Sequence, residues 1–317
     1  MTSEDVQVTQ LSIYKLKPQF LGFFLFYFLI FIKLVVNQKK FELVHIHGDW
    51  SSLVFSKLIK KVVGAETVIM TIHDQLSNKL WHKKALSNLL ESVDYIFSTG
   101  FETANQLNKL TNKKVIVQSS GIQKIFLDEQ ARVFNKSTFQ VITVANLVKK
   151  KNLGLVLDIA KDLPLVKFLV VGEGPEKNYL LDRVKNEKLS NIQILGYKNS
   201  IELYSLYYQS DLFLLTSIKE GTPTAMLEAM ACGLPIVASE AGGVKRILGS
   251  HNYIADINDN KQFINCISTL LGDTELMQSI SAKNIAQSKS FSWEHVAQKI
   301  DNLILDKVEI MIGDTTK

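Results

Sequence analysis

The chain has 317 residues, 46% hydrophobic and 21% charged, with 5 Pro, 16 Gly and 2 Cys. That length is about twice a common domain and predicts two, while the composition excludes a disordered, collagen-like or low-complexity protein. The net charge of +5 lies wholly in the first part: residues 1–135 carry 16 Lys and Arg against 11 Asp and Glu, whereas residues 136–317 carry 20 of each. A basic half points to an anionic surface, phospholipid or nucleic acid, or to an ordinary scatter of surface lysines. Nucleic acid is disfavoured, because the basic residues are scattered and the aromatics gather in one apolar segment. Cys232 and Cys266 are too few for a disulfide framework and suit a reducing compartment. No metal site is expected, since neither HExxH nor CxxC spacing occurs.

In chain order, Val6–Ile13 reads as a strand. Phe20–Ile32 follows, thirteen residues without a charge, before Lys33 interrupts and Leu34–Val36 continue. This is shorter than the roughly 18 to 20 residues that span a bilayer. Lys15 and Lys17 precede it, but no small-residue cleavage site follows. The expectation is a helix, started by Pro18, that is buried or skims a membrane without crossing it. Strands are expected at Leu43–Ile46, Thr67–Ile72, Tyr95–Phe97 and Val115–Val117, and the polar stretch Asp128–Ser137 reads as a linker.

Beyond it, β-branched runs recur at Phe139–Val144, Lys167–Val171, Ile192–Leu195, Asp211–Thr216 and Pro235–Ala238, with helical patterns at Leu153–Asp162, Lys177–Lys188 and Ile201–Gln209. Alternating strands and helices predict an α/β protein of two Rossmann-like, doubly wound domains with a cleft between them. In such sheets ligands bind outside the carboxyl ends of the strands. The unusual residues fall at those ends: Asn146 and Lys149–Lys151, Gly172–Pro175, Gly196 and Tyr197, Glu220–Thr224, and Ser239–Gly243. Five loops would thus line one crevice.

The fourth loop leads into a helix, with Thr222 expected as its N-cap, Pro223 as its first residue, and Gly233 and Pro235 at its end. Its free N–H groups, near Thr224 to Met226, would face the crevice and suit a phosphate, to which Lys151 adds a full charge. Glu220 and Glu228 could accept hydrogen bonds from the vicinal hydroxyls of a sugar and a ribose. Taken singly, Glu220 reads more readily as a solvated loop charge and Glu228 as a partner of the helix dipole.

The run Ser217–Ser239, with Glu, seven residues, Glu, then Ala-Met-Ala-Cys-Gly-Leu-Pro, resembles the signature of family 4 retaining glycosyltransferases, which have the GT-B architecture of two Rossmann-like domains. Val170–Pro175, Leu195–Tyr197, Gly242-Gly243, Phe291–Trp293, Val44–His47 and Thr71–His73 are similar to other parts of that family. The resemblance implies a donor domain at 136–290, an acceptor-side domain at 1–135, and a terminal segment, 291–317, crossing back to the latter. It implies that Glu220 contacts hydroxyls of the transferred sugar and Glu228 the ribose. Lys151 with the backbone at Gly221, Thr222, Pro223 and Thr224 would take the diphosphate, beside the Gly172 loop. Gly196 and Tyr197 would border the base, and His73 would reach the sugar from the other domain. His47, Asp49 and Trp50 are weaker candidates for acceptor contacts.

The activity so implied is transfer of a sugar from a nucleoside diphosphate sugar to a hydroxyl of a saccharide or lipid-linked saccharide, with retention and no cofactor or metal, in surface polysaccharide or glycolipid synthesis. The setting would be cytoplasmic, peripheral on the inner face of a membrane. Three departures qualify it. Asn146 stands where the family usually has Arg, and Lys245-Arg246 where an acidic residue is common. The opening strand–loop–helix unit has no counterpart, so an incomplete, shortened N-terminal domain with uncovered sheet edges is expected. A sugar-nucleotide-binding protein without turnover, or an epimerase of the same architecture, are the alternatives.

Overall fold

A computed structural model describes residues 19–37, 40–48, 50–73, 81–127, 132–134 and 138–314. Val6–Ile13, Pro18, Asp49 and most of the 128–137 stretch lie outside them. The chain divides into two units, one running to Ser98 and resuming over Thr103–Val117, the other made of Thr99–Glu102 and the chain from Gln118 onward.

In the first unit the elements are α1 (Gln19–Asn37), β1 (Leu43–Gly48), α2 (Ser56–Val63), β2 (Thr67–Ile72), α3 (Trp81–Leu90), β3 (Tyr95–Ser98), α4 (Phe101–Asn108, whose first two residues group with the second unit) and β4 (Val115–Val117). The strands form one parallel sheet in the order β1-β2-β3-β4. Val68, Met70 and Ile72 alternate onto the face whose core includes Leu53, Val63, Leu86, Leu90 and Leu107, the period-two pattern of a covered strand. Asp94, just before β3, accepts from the Val68 amide at 2.8 Å and from Lys60 Nζ at 2.9 Å, fastening α2 and β2 to the turn.

The second unit holds β5 (Gln140–Val144), α5 (Leu153–Asp162), β6 (Lys167–Val171), α6 (Lys177–Asn186), β7 (Ile192–Gly196), α7 (Ser200–Gln209), β8 (Leu212–Leu215), α8 (Thr224–Ala231), β9 (Ile236–Ser239), α9 (Val244–Leu248), β10 (Tyr253–Ala255), α10 (Asn260–Leu271), α11 (Thr274–Ser288) and α12 (Trp293–Asp314). Its sheet is parallel throughout, in the order β10-β9-β8-β5-β6-β7. The five expected strands lie within a residue of their observed ends. Only β10, three residues long, was not anticipated. Helix α6 stops at Asn186, two residues short of the expected Lys188, which adopts a left-handed φ of 54°. Helix α7 starts on a capping box in which Asn199 accepts from the Glu202 amide and Glu202 accepts from the Asn199 amide, each at 3.0 Å. From β5 the chain winds outward through β6 and β7, then returns to lay β8 on the other side of β5. The strand order therefore reverses between β5 and β8, which is where an open parallel sheet opens a crevice.

The two units part at Val117/Gln118, whereas the sequence reading placed the boundary at 135/136. Ile122 and Phe126 are buried in the core of the second unit. The Ile122 amide donates to Phe291 O at 2.8 Å. Within the supposed linker, Arg132 is buried and donates to the carbonyls of Cys232 (2.8 Å), Tyr207 and Tyr208 (both 3.0 Å) and Ser210. A guanidinium set against the carboxyl ends of α7 and α8 satisfies terminal carbonyls that no helix can satisfy itself.

Candidate functional site

At the carboxyl ends of β5, β6, β7, β8 and β9 the loops are tied to one another by backbone. Ala145 and Leu147 amides, after β5, donate to Val171 O (3.0 Å) and Glu173 O (2.9 Å), and the Gly172 amide donates to Gly196 O at 2.8 Å. The Ile218 amide, after β8, donates to Lys150 O at 2.8 Å, and Thr216 Oγ1 donates to Lys151 O at 3.0 Å. Ser239 Oγ, at the last residue of β9, donates to Ser217 O at 2.6 Å. Two glycines make this approach feasible. Gly172 has φ +141° and a methyl there would run into Ala145 O; Gly242 has φ +59° and a methyl would run into Glu220 O.

The centre of this cluster is an ion pair. Lys151 Nζ lies 2.5 Å from Glu220 Oε1, the side chains 15% and 8% exposed. Lys149 and Lys150 point outward, exposed, while Lys151 turns inward because Asn152 takes a left-handed φ of 48° that ends the short 3-10 turn and starts α5. The sequence reading gave the two charges separate partners; in the structure each is the other's partner. Ser217 Oγ, three residues before Glu220, is buried without a hydrogen bond.

Helix α8 opens next to Glu220, though not as expected. Pro223, at φ −72° and ψ 103°, is the cap residue and the helix begins at Thr224. Thr222 does not cap it, because its hydroxyl donates instead to Thr99 O at 2.6 Å. The Met226 and Leu227 amides turn back to Pro223 O at 3.0 and 3.3 Å. The open end is thus formed by the Thr224 and Ala225 amides, and Met226 is not part of it. Glu228 stands one turn further in. Its Oε2 lies 3.2 Å from the hydroxyl of the buried Tyr207, which is also 3.2 Å from Ala225 O. Burial raises the Glu228 carboxyl to about 7, partly offset by the bond from Tyr207. Burial also lifts the Tyr207 phenol well above its ordinary value, and Glu228 adds to that. Tyr207 was missed from sequence, since nothing marks it out from Tyr204 and Tyr208 in the same helix.

The remaining expected residues occupy the rim. Gly196 closes β7, and Tyr197 beyond it is exposed. Asn146, exposed, accepts from the Val148 amide at its carbonyl (2.9 Å). Of Lys245 and Arg246, the pair that departs from the family resemblance, the Arg246 guanidinium lies over the Phe101 ring at 5.0 Å and Lys245 Nζ is 3.7 Å from Glu240.

In the first unit His73 follows β2, with its Nε2 3.3 Å from His47 Nδ1 and the two rings stacked. His45, one pleat deeper, bonds Thr71 Oγ1 at 2.7 Å. Burial, with His47 and His73 nearby, lowers His45 to about 4, and burial followed by His73 lowers His47. Among the described residues no group of three or more His, Cys, Asp or Glu is arranged to hold a metal ion.

Two parallel-sheet, Rossmann-like units, the second with its charged loops at the switch point, make up a GT-B architecture. More particularly, the chain belongs to the glycosyl transferases group 1 family, whose model matches residues 125–287, just over half of the chain. It is 26% identical over 275 residues to the N-acetyl-alpha-D-glucosaminyl L-malate synthase of Bacillus anthracis, covering 78% of this chain and 70% of that protein. To the UDP-Gal:alpha-D-GlcNAc-diphosphoundecaprenol alpha-1,3-galactosyltransferase of Escherichia coli it is 23% identical over 307 residues, 87% of this chain and 77% of that one. Its fold is shared by Anabaena Alr3699/HepE in complex with UDP, at a TM-score of 0.74 and 19% identity, covering 87% of this chain and 82% of that one.

Proposed function

We propose that this protein is a retaining glycosyltransferase that moves a sugar, of hexosyl type, from a nucleoside diphosphate sugar to a hydroxyl of a saccharide or lipid-linked saccharide, in the synthesis of a surface polysaccharide or glycolipid. The observation that carries the reading is the buried Lys151–Glu220 pair at the mouth of α8. Two opposite charges held together in a crevice are poised to exchange partners. A diphosphate would take the Lys151 ammonium and the amides of Thr224 and Ala225, as helix amino ends and cations take anions. Glu220, released, would accept from hydroxyls of the sugar, and Glu228 from the ribose. Gly172 and the Gly221–Pro223 backbone would shape the phosphate cradle, and Gly196 and Tyr197 would flank the base. With Asn146 in place of an arginine, Lys151 would carry the side-chain charge of the cradle.

In the reaction the bond from the anomeric carbon to the β-phosphate oxygen breaks, and a bond to the acceptor oxygen forms on the same face. The acceptor proton passes to the departing phosphate oxygen. No carboxylate serves as nucleophile in this scheme; the charge growing on the diphosphate is stabilised by Lys151 and the helix amides, with no metal or cofactor called on. His73 is assigned to the sugar as a hydrogen-bonding group, with His47 fixing its ring. We place the protein in the cytoplasm, at the inner face of a membrane. The reading is supported by the family membership and by the UDP bound in Anabaena Alr3699/HepE, a protein also recorded with UDP-glucose.

The test is a thermal-shift panel of UDP-, GDP- and ADP-sugars, followed by transfer of label from whichever donor binds. Transfer or donor hydrolysis that is lost in Glu220→Ala supports the enzyme. Binding without either product leaves only a sugar-nucleotide-binding protein, and a changed sugar released without acceptor identifies an epimerase.

A further inference from the structure

The donor site uses nothing from α1, yet α1 carries an unusual outer surface. Leu25, Phe28, Leu29, Ile32, Val35 and Val36 are all exposed, Phe28 by 57% and Val36 by 71%. At about 100° per residue these six fall within an arc of roughly 120°. Leu34, on the opposite side of the helix, packs against the core of the first unit. The inward seam of α1 is therefore already occupied, and the outward arc is a second, contiguous apolar face of the kind that marks an interaction surface.

The charges carried by α1 and α2 themselves are of one sign, with Glu42 and Glu66 exposed beyond their ends. Lys33 sits on the flank of the arc, Lys40 is exposed just beyond α1, and α2, packed beside α1, exposes Lys57 and Lys61 one turn apart. Neither α1 nor α2 contains an Asp or Glu. A second copy of this chain would bring the same lysines against these, so self-association through this face is opposed by charge. Among the described residues no helix is long and apolar enough to cross a membrane.

We propose that this face docks on an anionic lipid surface, with α1 lying in the plane of the membrane. The apolar arc enters the boundary between headgroups and acyl chains. Lys33, Lys57 and Lys61 reach the lipid phosphates, their aliphatic stems lying along the apolar surface. This deepens the placement of the protein at the inner face of a membrane, on which it rests, and is measured without donor or acceptor, so it and the sugar-transfer reading can fail separately.

The experiment is co-sedimentation of the full chain with vesicles of phosphatidylcholine alone and of phosphatidylcholine with phosphatidylglycerol. The expected result is binding to the anionic vesicles, at least about tenfold weaker at 0.5 M salt, where surface charges are screened. The double variant Phe28→Asp, Ile32→Glu is expected to lose about tenfold or more in bound fraction, and Lys57→Glu, Lys61→Glu to lose the preference for anionic lipid. All four positions are half-buried or exposed, and a melting temperature kept close to the parent's establishes that each variant is folded. The proposal is overturned if the parent ignores the anionic vesicles, if it binds both vesicle types equally, or if the Phe28/Ile32 variant binds like the parent. It is equally overturned if the parent is a dimer in solution and that variant a monomer, since a second copy then covers the face.

Discussion

Lys151 and Glu220, 69 positions apart in the chain, share a contact of 2.5 Å at the carboxyl ends of two neighbouring strands. Both are largely buried, so each depends on the other for the water it has lost. Lys151→Met should therefore destabilise the fold by roughly 2–4 kcal/mol, because it strands a buried carboxylate. Adding Glu220→Gln should recover much of that loss by removing the orphaned charge. Urea denaturation of the two single variants and the double variant measures the coupling directly. Were the single losses simply to add, the pair would be a surface contact and not the centre of the site.

The same two residues should separate in function. Glu220→Gln keeps the shape and should leave binding of the free nucleotide diphosphate within a few-fold. Turnover should fall by about 100-fold or more, as when a group matched to the transition state is lost. Lys151→Met should weaken the nucleotide itself. Calorimetric titration of the diphosphate beside steady-state rates distinguishes the two roles.

Gly242 is the hinge of a third expectation. With φ at +59° and the Glu220 carbonyl where a side chain would start, Gly242→Ala must push one loop off the other. The cost should be roughly 1–3 kcal/mol in stability, and donor binding should suffer because the displaced residue is Glu220. Thermal denaturation with and without the nucleotide measures both effects. A variant that melts like the parent and binds like it would mean that the loops yield freely.

Much of this was legible in the residues themselves. Strands such as Thr67–Ile72 and Lys167–Val171 announce themselves because β-branched runs between helical patterns have few other uses. The five glycine- and charge-bearing loops could be placed at strand ends for the same reason. Three features were out of reach. The Lys151–Glu220 contact depends on β8 lying beside β5, an adjacency created by the reversal of strand order and written in no local pattern. Tyr207 differs from Tyr204 and Tyr208 only in the helix face it occupies, and that face is set by the packing of Phe126 and Phe213 around it. Arg132 sits in a polar stretch that reads as linker, because the carbonyls that demand a cation come from residues 75 to 100 positions away.

Arg132 should in consequence be one of the costliest single positions in the second unit. Its guanidinium serves carbonyls at the ends of two helices and stacks over Phe134 and Tyr208 at 5.6 and 5.3 Å. Arg132→Met should cost roughly 2–4 kcal/mol, since several buried acceptors lose their donor at once. Arg132→Lys should restore little, because an ammonium cannot spread its donors across that plane. Chemical denaturation of the two variants tests this, and a full rescue by lysine would reduce the residue to a point charge.

The acid Glu228 links stability and ligand binding to pH in opposite senses. Its folded-state value, about 7, lies above that of an ordinary carboxylic acid. Between roughly pH 4.5 and 7 the folded chain therefore holds a proton that the unfolded chain has released, and stability contributed by this group falls as pH rises through that window. Glu228→Gln, which cannot ionise, should be the more stable protein above pH 7, by at most on the order of 3 kcal/mol, and should lose the advantage near pH 4.5. His45 acts the other way over a similar range. Held neutral, with a value near 4, it contributes stability above its ordinary 6.5 that is lost as pH falls toward 4. The wild-type curve alone is therefore uninformative, and the difference between parent and Glu228→Gln at each pH is what reports the group. A ribose, by contrast, needs the ionised carboxylate as acceptor for both hydroxyls. Nucleotide affinity should thus rise about tenfold per pH unit toward pH 7 and level off beyond it, with the slope abolished in Glu228→Gln. Tyr207→Phe removes the one hydrogen bond that favours ionisation, so its affinity curve should move to higher pH with the same slope. A curve that stays in place would mean that the Tyr207 hydroxyl is spent on Ala225 O and leaves Glu228 to burial alone.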